Sequence, residues 1–421
     1  MPSNLYHTWQ NVVAQTPEAT ALTDSATGEV LSFAELDDAA SALEPEGFPR
    51  GNDVKFVLHL IAAWREGLPI CPLEEKGEPV DISGIPTGVA HIKVTSGSTG
   101  TPRLILFTAD QLAADASNIV QTMGLDHRRP NIGVISMAHS YGFSNLALPL
   151  LLHGIPLILA SDPLPGSFTH ALAFLPETGG TVPAVPAMWR AWLNAGCLDA
   201  ERIKIAISAG APLTLDLERA VYDVAGIKVH NFYGSSECGG IAYDRTTTPR
   251  IETATVGTPM DGVTTTLGDD GCLTVHGDAV GSQYWPDADP GTLDGKRFVT
   301  QDLASIVADG SLQLHGRAGE LINIAGRKVD PASIEEELLK HHSVDHCIVF
   351  GIPSPDPERV QEIVAVTSGG DATELGAHLA RAFPAWKKVR HWWLNPEVAP
   401  NARGKLSRKE WREKWEQHHA R

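Results

Sequence analysis

Serine and threonine hydroxyls crowd the ten residues VTSGSTGTPR, Val94 to Arg103, and two glycines separate them. Glycines in a strand-to-helix turn let successive backbone N–H groups converge on one anion, and hydroxyls and an arginine add donors. No lysine follows Gly100 at the place the GxxxxGK[ST] loop requires. Taken alone, the segment reads first as solvated linker and second as a phosphate cradle. In NFYGSSECGG, Asn231 to Gly240, a tyrosine, a glycine, hydroxyls and a carboxylate follow one another. Tyr233 could stack on a purine, a serine could donate to phosphate, and Glu237 could hold a magnesium ion that bridges phosphates. The competing reading is a helix N-terminus with serine caps and an acidic first turn. Asp302, in TQDLA, and Arg317, in GRAGE, suit either a pair of ribose hydroxyls or an ordinary surface ion pair. Lys405 sits in a polar stretch where a solubilising surface charge is the usual reading.

The elements that must position these residues show in the apolar periodicity. LSFAELDDAASALE has helical spacing after Ser32, a ready cap. VKFVLHLIAAWREGLPICPL predicts a helix ended by Gly67 and a short strand ending at Pro72, and TADQLAADASNIVQTMGL predicts an amphipathic helix ending at Gly124. HIKVT, IGVISMAHSYG, IPLILA and RIKIAIS read as strands. Such alternation predicts an α/β chain with a parallel or mixed sheet covered by helices. Beyond about Val256 period-two runs with turns at Asp270-Gly271 and Asp309-Gly310 predict hairpins. A smaller α+β part follows, and the boundary is placed near Ala318-Gly319, giving domains 1–318 and 319–421.

Composition narrows the partners. The formal charge of -18 disfavours nucleic acid and anionic membranes. The five cysteines are scattered without metal-like spacing, as in a reduced, cytoplasmic protein. The most apolar run, Asn145 to Ala160, is broken by glycine and prolines and is too short for a membrane span.

Together and in order, VTSGSTGTPR, HSYG, SAGAPL, NFYGSSE, VGTPMDGV, TQD, GRAGELINIAGRKVDPASIEEEL and NARGK resemble the acyl-adenylate-forming superfamily of acyl- and aryl-CoA synthetases, peptide-synthetase adenylation domains and luciferases. The resemblance spans about residues 30–408. It implies a large N-terminal domain of helix-covered sheets with a distorted barrel-like portion, then a small mobile C-terminal domain. It implies ATP and Mg2+, with Thr95, Ser96, Gly97, Ser98, Thr99, Gly100 and Arg103 around the β- and γ-phosphates. It places Gly210, Ala211 and Pro212 against adenine, Tyr233 stacked on it between Phe232 and Gly234, and Asn231 reading its amino edge. Ser236 matches the hydroxyl on the α-phosphate, Glu237 the magnesium ligand, Asp302 and Arg317 the ribose pair, and Lys405 the lysine that completes adenylation. His139 matches an acyl-pocket position, although an isolated histidine at a strand end is otherwise structural. Ala325 to Lys328, with Gly326 and Arg327, match the loop lining a pantetheine tunnel, or read as a plain hairpin turn. Gly319 falls at the hinge, where many relatives carry a charge.

The same resemblance implies formation of an acyl-AMP, then transfer to the thiol of CoA or of a carrier protein's phosphopantetheine. An aromatic or medium-chain carboxylic acid is the favoured substrate, since no aspartate stands where an amino acid's ammonium would need one. Loading of an acyl carrier protein and a degenerate non-catalytic acyl or nucleotide sensor are the alternatives. The chain is short near residues 45–90, and a homodimer is one way to cover apolar surface exposed by that trimming. Arg103, Leu104 and Gln301 stand where relatives carry lysine, glycine and glycine.

Overall fold

The computed structural model describes residues 3–95, 103–400 and 406–419. The loop residues Ser96, Gly97, Ser98, Thr99 and Gly100, and Lys405, lie outside them. Two compact units emerge: Met1–Gly268 with Thr274–Thr300 and Ile306–Gln313, and Leu314–Arg421 with Asp269–Leu273 and Gln301–Ser305.

Local chemistry starts the helices of the first unit. Ser32 caps Phe33–Ser41 in a full capping box with Glu35, and Thr108 does the same with Gln111 for Ala109–Met123. Each box satisfies orphan N–H groups and contributes about 1 kcal/mol. Val54–Glu66 ends at Gly67 and Ala109–Met123 at Gly124, both left-handed. These helices flank a mixed sheet whose strands run in the order Thr255–Pro259, Gly239–Tyr243, Val229–Ser235, Ile203–Ser208, Gly180–Ala184, Asn131–Gly133, Leu157–Leu159, Thr20–Asp24, Val30–Ser32. From Val229–Ser235 to Thr20–Asp24 neighbours are parallel. The strands beyond each end of that run are antiparallel. Trp9, Phe33, Phe56, Trp64, Phe143, Phe168, Trp189 and Trp192 are wholly buried around it.

A second, three-stranded sheet pairs Val89–Thr95, Arg103–Thr108 and Gln283–Trp285, all antiparallel. The segment expected as trimmed covers one face of it. Phe48, Cys71, Leu73, Val80, Ile82 and Ile85 cluster there with Ile92, Leu104 and Leu106. The strand predicted to end at Pro72 is reduced to isolated bridges at Ile70 and Leu73. The predicted strand IGVISMAHSYG is a strand only over Asn131–Gly133; from Ser140 the chain is helical, with a π-helical turn at Phe143–Ala147.

In the second unit Cys347–Pro353, Gln361–Thr367 and His391–Leu394 form a sheet, flanked by the helices Pro331–Leu338, Ala372–Ala382 and Arg408–His419. Ile334, Leu338, Val349, Ile363 and Leu375 fill one side of it, and Phe350, Val364, Trp411 and Trp415 the other. Among the described residues no helix is long and apolar enough to cross a membrane.

Candidate active site

The cradle segment joins two strands, not a strand and a helix. Thr95 and Arg103 face each other at the connected end of the Val89–Thr95/Arg103–Thr108 pair, and the Thr95 hydroxyl donates to the Arg103 carbonyl at 3.1 Å. The Arg103 guanidinium lies 3.7 Å from the centre of the Tyr284 ring, a cation–π contact that fixes the charge at the loop's foot.

NFYGSSECGG is the turn of a hairpin, and this replaces the helix-N-terminus reading. Val229–Ser235 pairs antiparallel with Gly239–Tyr243, and Ser236, Glu237 and Cys238 cross between them. The turn is tight because Gly239 has φ +70° and a Cβ there would strike the Asp115 carboxylate. Glu237 is half-buried; its backbone N–H is accepted by the Ser235 hydroxyl, and its Oε1 accepts from the Tyr284 phenol at 3.2 Å. Burial raises the Tyr284 phenol well above its ordinary value, aided by the Glu237 charge and opposed by Arg103. The phenol therefore stays a donor and holds the carboxylate in place.

One carboxylate at the rim of this turn suits Mg2+, which is commonly bound by one or two carboxylates plus substrate phosphates. Among the described residues no three His, Cys, Asp or Glu side chains converge, so a cation at Glu237 would draw its other ligands from phosphate and water.

Ser140 donates to Ser236 at 3.1 Å, which joins the HSYG segment to the hairpin turn across 96 residues of chain. Tyr141 and Phe232 approach at 5.9 Å between ring centres, and the Tyr141 hydroxyl donates to the Ala184 carbonyl. Burial pushes the Tyr141 phenol well up. His139 Nε2 sits 2.6 Å from Glu74 Oε1, and the Ser136 hydroxyl donates to the same oxygen at 2.8 Å.

Gly210, Ala211 and Pro212 follow the Ile203–Ser208 strand as a turn with an open outer face: Gly210 and Pro212 are exposed, and Gly210 is left-handed at φ +83°. Asn231 and Phe232 are buried on the next strand, with Tyr233 half-exposed and Gly234 exposed beside them. In the second unit Arg317 Nε donates to Asp302 at 3.0 Å. Gly319 is exposed in the turn just after, with no described residue near the position of a Cβ. Ala325 and Gly326, at φ 50° and 82°, form the two-residue turn between Ile322–Ile324 and Arg327–Val329. The Arg327 guanidinium lies 5.0 Å from the Trp386 ring centre.

Three groups escaped the sequence reading. Glu74 lies in the segment expected as trimmed, and Tyr284 in a strand that carries no motif. Lys93 sits inside an apolar-looking strand, yet its side chain is buried with Nζ 4.3 Å from the Phe107 ring. Burial lowers its pKa, opposed by Asp115, Cys238 and Glu237. Burial likewise pushes the thiols of Cys71 and Cys238 up to about 12, so neither is a thiolate nucleophile at neutral pH.

Residues 74–285 match the family described as AMP-binding enzyme. Among curated proteins, a feruloyl-CoA synthase of Amycolatopsis sp is 26% identical over 361 residues, 80% of this chain and 72% of that protein. A 2,3-dihydroxybenzoate-AMP ligase of Bacillus subtilis (strain 168) is 26% identical over 431 residues, 93% of this chain and 78% of its own length. Among solved structures, ATP-bound MatB from Rhodopseudomonas palustris superposes with a TM-score of 0.84 at 19% identity, covering 100% of both chains. The fold is therefore that of MatB, a large mixed-sheet N-terminal domain and a small C-terminal α/β domain.

Proposed function

The chain belongs to the AMP-binding enzyme family, as an AMP-forming acid–thiol ligase, and from that premise we propose that it activates an aromatic or medium-chain carboxylic acid as its acyl-AMP and passes the acyl group to a thiol, CoA first among acceptors. The observation that carries this reading is the Ser140–Ser236 hydrogen bond. It brings the segment assigned to the acid against the hydroxyl assigned to the α-phosphate, so carboxylate and phosphorus meet at one place.

In the first step a carboxylate oxygen attacks the α-phosphorus, the bond from that phosphorus to the β-bridging oxygen breaks, and pyrophosphate leaves. Both reactants are anionic, so positioning and charge neutralisation carry the rate. Thr95 to Gly100 and Arg103 hold the β- and γ-phosphates, and Ser236 donates to the α-phosphate. Glu237 would hold Mg2+, which offsets charge on the departing pyrophosphate when bound. Gly210 to Pro212, Tyr233 and Asn231 take the adenine, and Asp302 and Arg317 the ribose. Lys405 supplies a compact positive charge between carboxylate and α-phosphate. In the second step a thiolate attacks the acyl carbonyl and AMP leaves.

Support for an aromatic acid comes from the Tyr141 and Phe232 rings, in contact next to Ser140 in the chain, and from the acids named for the feruloyl-CoA and dihydroxybenzoate relatives. A carrier protein is the second acceptor reading. It draws on Lys387 and Lys388 along a groove of about 920 Å³ in the second unit that is also lined by Phe383 and Trp392, where Arg390 is paired with Glu362. Acid-dependent ATP–pyrophosphate exchange over a panel of aromatic and aliphatic acids tests the reading. Exchange with one acid class, lost in Glu237→Ala and Lys405→Ala, supports it. ATP binding without exchange for any acid favours the sensor alternative.

A further inference from the structure

A buried charge cluster lies behind the turn and strand assigned to adenine. Glu218, Lys228, Asp244 and Arg250 have side chains 0%, 8%, 3% and 3% exposed. Lys228 donates to Glu218 and, at 2.5 Å, to Asp244. Burial works against the Asp244 charge, but hydrogen bonds from Lys228 and Thr246 hold its carboxyl below the usual range. With two acids and two bases the cluster is neutral overall. Burying four charges is costly, and the cluster invites a reason beyond stability.

Arg250 supplies one through where its fork points. Nε donates to Glu218 at 2.8 Å, which anchors the guanidinium. Nη2 donates to the Leu213 carbonyl at 2.6 Å, immediately after the Gly210–Pro212 turn. Nη1 donates to the Thr255 carbonyl at 2.6 Å. That carbonyl also accepts from Asn231 Nδ2, at 3.4 Å. With Nδ2 donating there, the opposite side of the Asn231 amide is Oδ1, an acceptor. An acceptor matches the exocyclic amine of adenine and is repelled by the carbonyl oxygen that hypoxanthine carries at the same position.

We propose that Arg250, neutralised by Glu218, is the positioning residue that sets nucleobase selectivity, by fixing the Thr255 carbonyl that orients Asn231 and the Leu213 carbonyl that ends the adenine turn. This rests on the adenine assignment of Asn231 and Gly210–Pro212. Lysine, a point charge without a fork, cannot hold both carbonyls and the carboxylate together.

The test is calorimetric binding of AMP and of IMP to the full chain, wild type against Arg250→Lys, the paired Arg250→Met/Glu218→Gln and Asn231→Ala, with thermal melting to follow folding. The paired variant removes one charge of each sign and leaves Lys228 with Asp244. The expected result is an AMP preference in the wild type that falls about fivefold to tenfold in the paired variant, the size of one misplaced hydrogen bond, and part of the way in Arg250→Lys. In pyrophosphate exchange the KM for ATP rises while that for the acid holds, a split that general loosening of the fold would not produce. A folded Arg250→Lys and paired variant that keep the wild-type preference within about twofold, while Asn231→Ala loses it, overturn the role of Arg250 alone. A preference that survives Asn231→Ala overturns the adenine assignment and this inference with it. Should the paired variant melt below the assay temperature, Arg250→Lys decides.

Discussion

The two sides of the candidate site are held in different ways. Behind the side assigned to the nucleotide, backbone carbonyls are tied to a guanidinium 3% exposed, and its partner carboxylate is 0% exposed. On the side assigned to the acid, His139 and Glu74 meet at 2.6 Å with side chains 34% and 42% exposed, on segments with little regular structure. A buried charge that loses its partner has no water to turn to, whereas a half-exposed one does. The difference suits an enzyme whose nucleotide is the same in every reaction and whose acid varies across the family: one wall is fixed, the other can be retuned by single substitutions.

Removing the carboxylate assigned to magnesium should have the largest effect on activity. Glu237→Gln is expected to lower exchange by about 100-fold at fixed Mg2+, with partial recovery at high Mg2+ in a metal titration. Next comes the direct contrast between the walls. Glu218→Ala leaves Arg250 buried without its partner and should cost about 3–5 kcal/mol in a denaturant titration. Glu74→Gln should cost under about 1 kcal/mol and instead change the KM for the acid, with the KM for ATP unmoved. Equal destabilisation by the two would remove the distinction drawn here. Tyr284→Phe takes one hydrogen bond from Glu237 and should weaken apparent Mg2+ affinity about threefold, read from the same titration.

The smallest effect concerns pH. His91 is wholly buried, stacked 4.1 Å from Phe143, with Nδ1 lacking a hydrogen-bond partner among the described residues. Burial, reinforced by the Lys93 charge, depresses its pKa well below the ordinary 6.5. Burial also lowers His153 and His230. A base depressed in the folded state binds its proton more readily once unfolded. These groups therefore contribute full stability above about pH 6.5 and lose it as pH falls through that value toward their folded pKa values. The Tm should drop between pH 7 and pH 5, and His91→Leu should flatten that slope while leaving the Tm at pH 7 nearly unchanged. An unaltered slope would show that His91 does not contribute.

Signals that reside in adjacent residues were legible in the sequence. The Ser32 cap, the Gly67 and Gly124 stops and the turns at Asp270-Gly271 and Asp309-Gly310 depend on a few neighbouring dihedrals, and the helices and strands they bound are where the pattern puts them. The apolar run from Ile132 to Gly142 was not, because a short buried strand and a buried helix share the same composition. NFYGSSE read as a helix cap, since glycine and serine serve a cap as well as a hairpin turn. What decides is the strand partner Gly239–Tyr243. Within the site, the residue types pointed to anion chemistry, but their tethers did not show. Glu74 meets His139 across 65 positions and Tyr284 meets Glu237 across 47, and no local pattern encodes such a contact.

The central claim, that a carboxylate oxygen attacks the α-phosphorus of ATP, has a direct test. The enzyme is supplied with ATP, Mg2+, a thiol acceptor and an acid labelled with 18O in its carboxyl group, and the nucleotide product is weighed by mass spectrometry. The account predicts AMP carrying one 18O, because the bridging oxygen of the acyl-adenylate leaves with the phosphorus when the thiol attacks the acyl carbon. Label found in inorganic phosphate with ADP as the nucleotide product would place the attack at the γ-phosphorus and contradict it.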